Sequence, residues 1–378
     1  MFRPFCPVEV QILNPQDAQR AVRALLDKPA QLLVLASRAR LAQLGLTPFL
    51  TALQGDGHAV QLISDIPANP AVSDVAALLA RLREAAFAPT AILAIGGGSC
   101  IDLGKAVAAL YHLPHTTHEA DVRAALVQRT YLQPHICIDL LAMPTTAGTG
   151  SEVTRWATVW DPSEQRKLSL DLPQGYPRAA VIVPEWTLGM PAALTLSTGL
   201  DALSHAMESF WAVARNPLSS QLALDAVALL ATALPRALEA PDDPAARQSL
   251  SLGALLAGLA FSQTRTTACH SISYPLTLLR GVPHGFAVAL TLGSVLQRNA
   301  AAVPDLKRLT AVFAPAGGFE AWLYGVSQGI QPLTLRAFGF TKEELPAVAA
   351  LSFTAGRMDN SPVAFSEADV LEILNENY

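Results

Sequence analysis

The sequence is poor in charge, in aromatic side chains and in cysteine. Only 15% of its 378 residues are Asp, Glu, Lys or Arg, and 6% are aromatic. The formal net charge is −5 and there is no basic run. That argues against nucleic acid as a partner, because such binding depends on neutralising phosphates. The four cysteines, Cys6, Cys100, Cys137 and Cys269, form no C-x-x-C pair, so neither a disulfide framework nor a zinc ribbon is indicated. Charges and prolines are read as breaking the apolar stretches before membrane-span length, and no membrane partner is expected. Met1-Phe2-Arg3-Pro4-Phe5-Cys6-Pro7 lacks the apolar core of a secretory leader. Cytoplasm is the default that follows. There is no internal repeat, no low-complexity linker and no G-x-G-x-x-G fingerprint.

What is abundant is apolar side chain, 51% of the chain, ample for a large core. The length suggests two domains. In the first half, short apolar runs alternate with helical stretches. Leu32–Ala36, Val60–Ile63, Ala91–Ile95 and Ile136–Met143 read as strands. Ala39–Gln54, closed by Gly55, and Asp74 to about Phe87, capped by Ser73, read as helices. Strands separated by helices imply a parallel sheet. Beyond Leu188 the chain turns helical, with segments at Leu218–Leu238, Ala245–Phe261, Val288–Ala301, Leu306–Phe313 and Phe319–Gly329, and a last helix from Ser366. The expected organisation is an α/β domain over residues 1–187 and an all-α domain over 188–378.

Two loops follow strands. Gly96-Gly97-Gly98-Ser99-Cys100-Ile101-Asp102 opens a helix, where glycines let the backbone approach a phosphate and the helix N-terminus attracts its charge. A tight strand-to-helix turn would use the same residues. Asp102 suits a pyrophosphate poorly unless it contacts a ribose or a backbone amide. Thr145-Thr146-Ala147-Gly148-Thr149-Gly150-Ser151-Glu152 is rich in small donors and suits a cofactor cleft, though a turn that caps the next segment reads similarly. Both loops lie at strand carboxyl ends, where parallel sheets bind ligands.

The second half carries Asp201 and His205 four residues apart in a helical stretch, one face for both. His270 follows Cys269, and His284 lies between Pro283 and Gly285. An Asp-x₃-His pair is common and distant histidines need not meet. Yet three of the chain's 8 histidines lie in these apolar surroundings, where an unpaired polar group is costly. The Pro–Gly flanks fix His284 on a loop. One carboxylate and three imidazoles suffice for a divalent transition metal.

Taken in order, the GGGS loop with its Asp, TTAGTGSE, GLDALSHAME, CHSISYPL and GVPHG resemble the iron-containing, group III alcohol dehydrogenases. The likeness runs through Asp359-Asn360-Ser361-Pro362 before the last helix. It implies the dehydroquinate synthase-like fold, with a dinucleotide-binding domain followed by a helical domain, and a homodimer. It implies that Asp201, His205, His270 and His284 bind Fe²⁺ or sometimes Zn²⁺. It further implies that Gly97, Gly98, Ser99, Asp102, Thr145, Thr146, Thr149 and Lys167 contact NADPH or NADH. Val159-Trp160-Asp161, Lys167–Leu170, Glu208–Trp211 and His270–Thr277 look like the phosphonoacetaldehyde reductase branch.

Three positions depart from the wider pattern. Tyr274 stands where many members have a second His. Ser37, followed by Arg38 and Arg40, stands where many have Asp. Val183-Pro184 replaces Asp-Pro. The expected chemistry is metal-assisted hydride transfer to a small anionic aldehyde, with Tyr274 passing the proton. Arg265, Arg280 and Arg155 are the candidate anion ligands. Ser37 with Arg38 points to NADPH. The alternatives are a reductase of sulfoacetaldehyde or a simple aliphatic aldehyde, phosphate elimination as in dehydroquinate synthase, or a non-catalytic protein that keeps the fold.

Overall fold

The computed structural model describes residues 5–378; Met1–Pro4, the start of the segment weighed as a leader, lie outside the described residues. The chain divides into two units. The first runs to Thr146 and resumes over Ser151–Thr187; the second comprises Ala147–Gly150 and Leu188–Tyr378.

The first unit is built on β1 (Glu9–Ile12), α1 (Pro15–Leu25), β2 (Gln31–Leu35), α2 (Arg38–Gln43), α3 (Thr47–Gly55), β3 (Ala59–Ile63), α4 (Val72–Glu84), β4 (Ala91–Gly96), α5 (Gly98–Leu110), α6 (Glu119–Gln128) and β5 (Asp139–Pro144). It is completed by β6 (Trp156–Asp161), β7 (Arg166–Asp171) and β8 (Ala179–Ile182). The main sheet has the order β1-β8-β5-β4-β2-β3 and is parallel throughout. Its inner strands β2, β4, β5 and β8 are apolar on both faces because helices cover both. Leu33 and Leu35 point into one core with α4 and α5, while Leu32 and Val34 point into the other with α1 and α3. From β2 the chain moves outward to β3, then returns to place β4 on the other side of β2. The carboxyl ends of β2 and β4 therefore flank the switch point where such sheets bind ligands.

Several sequence expectations change. The helix read as Ala39–Gln54 is two, broken at Gly45 with φ +65, a left-handed position that glycine adopts at little steric cost. Ser73 lies inside α4; the cap is Ala71, whose N–H donates to Asp74. β5 starts at Asp139, not Ile136. The hairpin β6–β7, β1 and β8 went unread. β1 is short and half polar, so its pattern carries no strand signal.

The second unit is all helix: α7 (Ala192–Trp211), α8 (Pro217–Glu239), α9 (Pro244–Thr264), α10 (Ala268–Arg280), α11 (His284–Asn299), α12 (Leu306–Thr310), α13 (Phe319–Ser327), α14 (Leu345–Leu351) and α15 (Glu367–Glu376), with short 3₁₀ turns between. Asn216 and Asp243 cap α8 and α9, and Ser366, read as the start of the last helix, is the N-cap of α15. The expectation about apolar stretches needs correction here. By length and composition α8 is apolar enough to cross a membrane. Its buried side, with Val227, Leu230 and Leu234, packs in the core with α7 and α9, as the core helix of a bundle would.

Candidate metal centre and cofactor loops

α7 is buried from Leu196 to Trp211 except at Thr198, since α8, α9 and α11 pack around it. Asp201 and His205 sit one turn apart on it, and both are buried. His270 occupies the first turn of α10. His284 is the first residue of α11, with Pro283 as N-cap, so it opens a helix where a loop was expected. Gly285 explains the close approach of α11 to α7: a Cβ there would lie 1.8 Å from the Ser197 carbonyl oxygen. His205 stacks on Phe261 at 4.1 Å and on His270 at 4.6 Å between ring centroids.

The four side chains converge. The Nε2 atoms of His205, His270 and His284 lie 3.8, 3.7 and 3.8 Å from Asp201 Oδ1. These separations exceed a hydrogen bond, and Asp201 Oδ1 and His270 Nε2 are buried with no hydrogen-bond partner. Donors about 2.1 Å from a tetrahedral ion sit roughly 3.4 Å from one another. One donor atom each from Asp201, His270 and His284 lies within 4.8 Å of the others. His205 falls outside that mutual group and joins through Asp201. The oxygen and imidazole donors, and the unanswered polarity of two buried atoms, fit a divalent first-row transition metal.

Electrostatics agree with geometry. Burial raises the Asp201 carboxyl, but the three imidazoles outweigh it and hold the group far below the usual carboxylate range. Burial, together with the neighbouring His270, lowers His205 to about 4 against the pull of Asp201. His270 goes the other way. Burial lowers it, yet Glu208 and Asp201 drive it up to about 9.

Glu208, assigned no role from sequence, touches this cluster. It is fully buried on α7, and its Oε2 pairs with His270 Nδ1. Its Oε1 accepts from Thr267 N at 3.1 Å, Thr267 Oγ1 at 2.6 Å and Cys269 N at 2.9 Å. One carboxylate thus caps α10 and holds the Nδ1 proton of His270, so that Nε2 is the nitrogen that would give up its proton to a metal. Asp201, His205 and Glu208 fall at i, i+4 and i+7 on one helix face. That spacing, with a lone glutamate among apolar residues, was the available signal.

In the first unit, Gly97 caps α5 and Thr146 packs against it; a Cβ on Gly97 would sit 3.2 Å from Thr146 Oγ1. The glycine loop and the Thr145–Thr146 corner therefore adjoin at the ends of β4 and β5, beside the switch point. Ser99 Oγ accepts from Asn69 N. Asp102 accepts from Ser151 Oγ and, at 2.8 Å, from Thr158 N. It is turned to a backbone amide, as its charge required. Lys105, buried beneath, donates to Ser151, Thr154 and the Trp156 carbonyl, and burial lowers it to about 8. The charge of Lys167 on β7 acts on Asp102. Thr149 falls in the second unit. Ser37 precedes α2, and Arg38 is exposed beside it. Arg40 turns inward to the carbonyls of Thr145 and Trp186.

Two of the three candidate anion ligands are committed elsewhere. Arg155 pairs with Asp171 at 2.7 Å in the first unit. Arg280, at the far end of α10, pairs with Glu344 and lies over Phe340. Gly281 reverses the chain there with φ +63, so closeness to His284 in sequence does not bring Arg280 to the cluster. Arg265 ends α9, five residues before His270, with its guanidinium against Gly356. Tyr274, one turn beyond His270, is buried and stacks with His284 at 6.2 Å.

Comparison with known proteins bears on this arrangement. The profile described as iron-containing alcohol dehydrogenase matches residues 11–184, and that of the Fe-containing alcohol dehydrogenase family, C-terminal, matches residues 195–378. The phosphonoacetaldehyde reductase of Streptomyces viridochromogenes is 39% identical over 266 residues, 67% of each chain. The chain belongs to the iron-containing alcohol dehydrogenase family. Within it, the probable alcohol dehydrogenase EutG of Salmonella typhimurium is 36% identical over 260 residues, covering 68% of this chain and 64% of that relative's length. The match thus spans somewhat under two thirds of that curated relative. The crystal structure of sulfoacetaldehyde reductase from Bifidobacterium kashiwanohense in complex with NAD+ superposes with a TM-score of 0.83 at 26% identity, over 100% of this chain and 98% of that one.

Proposed function

We propose that the chain is a metal-dependent, NAD(P)H-linked alcohol dehydrogenase working as an aldehyde reductase, with phosphonoacetaldehyde, reduced to 2-hydroxyethylphosphonate, as substrate. The observation that carries the chemistry is the convergence of three imidazole nitrogens on one orphaned carboxylate oxygen. In this reading Asp201, His205, His270 and His284 hold the metal, Fe²⁺ or Zn²⁺. When bound, the metal supplies Lewis acidity to a carbonyl oxygen and the nicotinamide supplies hydride.

The remaining work falls to the chain. Glu208 keeps His270 in the ligating tautomer. Gly97, Gly98, Ser99, Asp102, Thr145, Thr146, Thr149 and Lys167 hold the dinucleotide. Tyr274 delivers the proton, directly or through water. Arg265 takes the phosphonate, whose oxygens suit a guanidinium fork. The substrate assignment is supported by the 39% identity to a phosphonoacetaldehyde reductase. NADPH is the preferred cofactor, because Ser37 brings no charge to repel a 2′-phosphate and Arg38 is exposed beside it.

Oxidation of NADPH and NADH against phosphonoacetaldehyde, sulfoacetaldehyde and propanal, after anaerobic Fe²⁺ loading, tests the reading. The expected order puts phosphonoacetaldehyde first in kcat/KM. A higher value for sulfoacetaldehyde would replace the substrate, the alternative that the structural neighbour favours. His270→Ala and Asp201→Ala should each release the metal and abolish activity. Full activity of the metal-free, unaltered chain would end the metal reading.

A further inference from the structure

The segment Asp359-Asn360-Ser361-Pro362 belongs to the family pattern but has no part in the chemistry above. Its surroundings point to a role. Between α9 and α10 the backbone at Arg265 has φ +65 and ψ −178. That region is populated essentially by glycine, and other residues remain there only when neighbouring contacts over-determine them. Arg265 N donates to the Phe261 carbonyl at 2.7 Å and its own carbonyl accepts from Thr264 Oγ1 at 2.8 Å, and one side chain holds the carbonyls on both sides of it. Asn360 Nδ2 donates to the carbonyl of Thr264 at 2.8 Å and to that of Thr266 at 3.0 Å, the residues on either side of Arg265. The Asn360 Oδ1 accepts from Ala214 N at 3.3 Å, and its carbonyl accepts from Val213 N at 2.9 Å, both just past the end of α7. The amide orientation follows from its partners, since carbonyls only accept and a backbone N–H only donates. Next in sequence, Ser361 Oγ accepts from Ala268 N, the first residue of α10.

The chain thus enters α10 through a strained residue clamped from one side by Asn360 and Ser361. From the other side Glu208 holds Thr267 and Cys269. His270 follows immediately. We infer that Asn360 is a positioning residue for the metal centre: it holds the Thr264–Thr266 backbone in a conformation that arginine does not adopt alone, and so fixes where α10 begins and where His270 Nε2 points. This rests on the reading of Asp201, His205, His270 and His284 as a metal site. Without the clamp, Arg265 relaxes toward negative φ, the start of α10 shifts, and the donor atom leaves its place. Glycine at 265 has no such drive.

The test is a double-mutant cycle on the metal-free full chain, read by Zn²⁺ titration against a chromophoric chelator, with folding followed by circular dichroism. Asn360→Ala should weaken Zn²⁺ binding by about ten- to a hundredfold, the usual effect of losing an outer-shell support. Adding Arg265→Gly should recover most of that loss, because the strained backbone is then relaxed. A purely structural role for Asn360, through Val213 and Ala214, predicts no recovery. Unchanged affinity in Asn360→Ala overturns the inference, and so does a loss that Arg265→Gly leaves in place. If Asn360→Ala alone fails to fold, a folded double variant with near-unaltered affinity supports the inference, and an unfolded one overturns it. Failure of the unaltered chain to bind Zn²⁺ would instead overturn the metal reading.

Discussion

Replacing Glu208 by Gln changes one oxygen to an NH₂ group and keeps the shape. Three donors on the α10 side, Thr267 N, Thr267 Oγ1 and Cys269 N, all require an acceptor. They hold the amide oxygen where Oε1 now lies, and the NH₂ then faces His270 Nδ1. A donor facing Nδ1 forces that nitrogen to accept, and the imidazole proton moves to Nε2. This is the atom 3.7 Å from Asp201 Oδ1, and once protonated it cannot ligate. The variant also loses a charge-assisted hydrogen bond, a contribution of roughly 1.5–3 kcal/mol, one to two powers of ten in an equilibrium constant. Loss of an outer-shell partner generally costs a similar factor in metal affinity. We therefore expect Glu208→Gln to weaken Zn²⁺ binding ten- to a hundredfold, with the fold retained because the cap of α10 persists. Glu208→Ala, which leaves the buried donors unanswered, should destabilise the chain as well. Competitive titration gives the affinity and thermal denaturation of the metal-free chain gives the stability. Zn²⁺ binding by Glu208→Gln within twofold of the unaltered chain would refute the tautomer argument.

Three other outcomes follow from particular residues. The His270 pKa is raised to about 9 from an unfolded value of roughly 6.5, so its stabilisation is full below about 6.5 and is lost as pH rises through 9. The metal-free chain should lose about 1 kcal/mol between pH 6.5 and 8, because His205, lowered to about 4, and Lys105, lowered to about 8, contribute with opposite slope and offset part of the His270 loss; a flat Tm over that interval, or the same slope in His270→Ala, contradicts this. Ser37→Asp should shift the NADPH-to-NADH ratio of kcat/KM at least about tenfold toward NADH, by restoring a charge that repels the 2′-phosphate; an unmoved ratio, or an unaltered enzyme that prefers NADH, defeats the cofactor argument. Gly150 has φ +61, and a Cβ on it would lie 2.7 Å from Gly258 Cα and 2.9 Å from Phe261, the ring under His205; Gly150→Ala should cost about 2–3 kcal/mol by denaturant titration, and a cost under about 0.5 kcal/mol would show that the loop yields freely.

The sequence by itself determined the α/β-then-helical order, because apolar runs of strand length and Ala/Leu-rich helices carry their own periods. It also placed the glycine and threonine loops at strand ends, since local backbone needs are written in Gly and Thr. It named Asp201 and His205 as partners, because a helix makes i and i+4 neighbours whatever surrounds it. What it left open depended on distances between elements. Nothing in the spacing from His205 to His270 requires that they stack, and only the packing of α7, α10 and α11 brings their nitrogens around one oxygen. Arg280 is near His284 along the chain, yet Gly281 turns it to Glu344. Arg38 and Arg40 look alike in sequence, yet one is exposed and the other bonds to two carbonyls. Glu208 gained its contacts because a buried charge must find donors, and the donors within reach were the start of α10 and the His270 imidazole. Local conformation is set by neighbours in the chain; the chemistry of this centre is set by which side chains the folded core leaves facing one another.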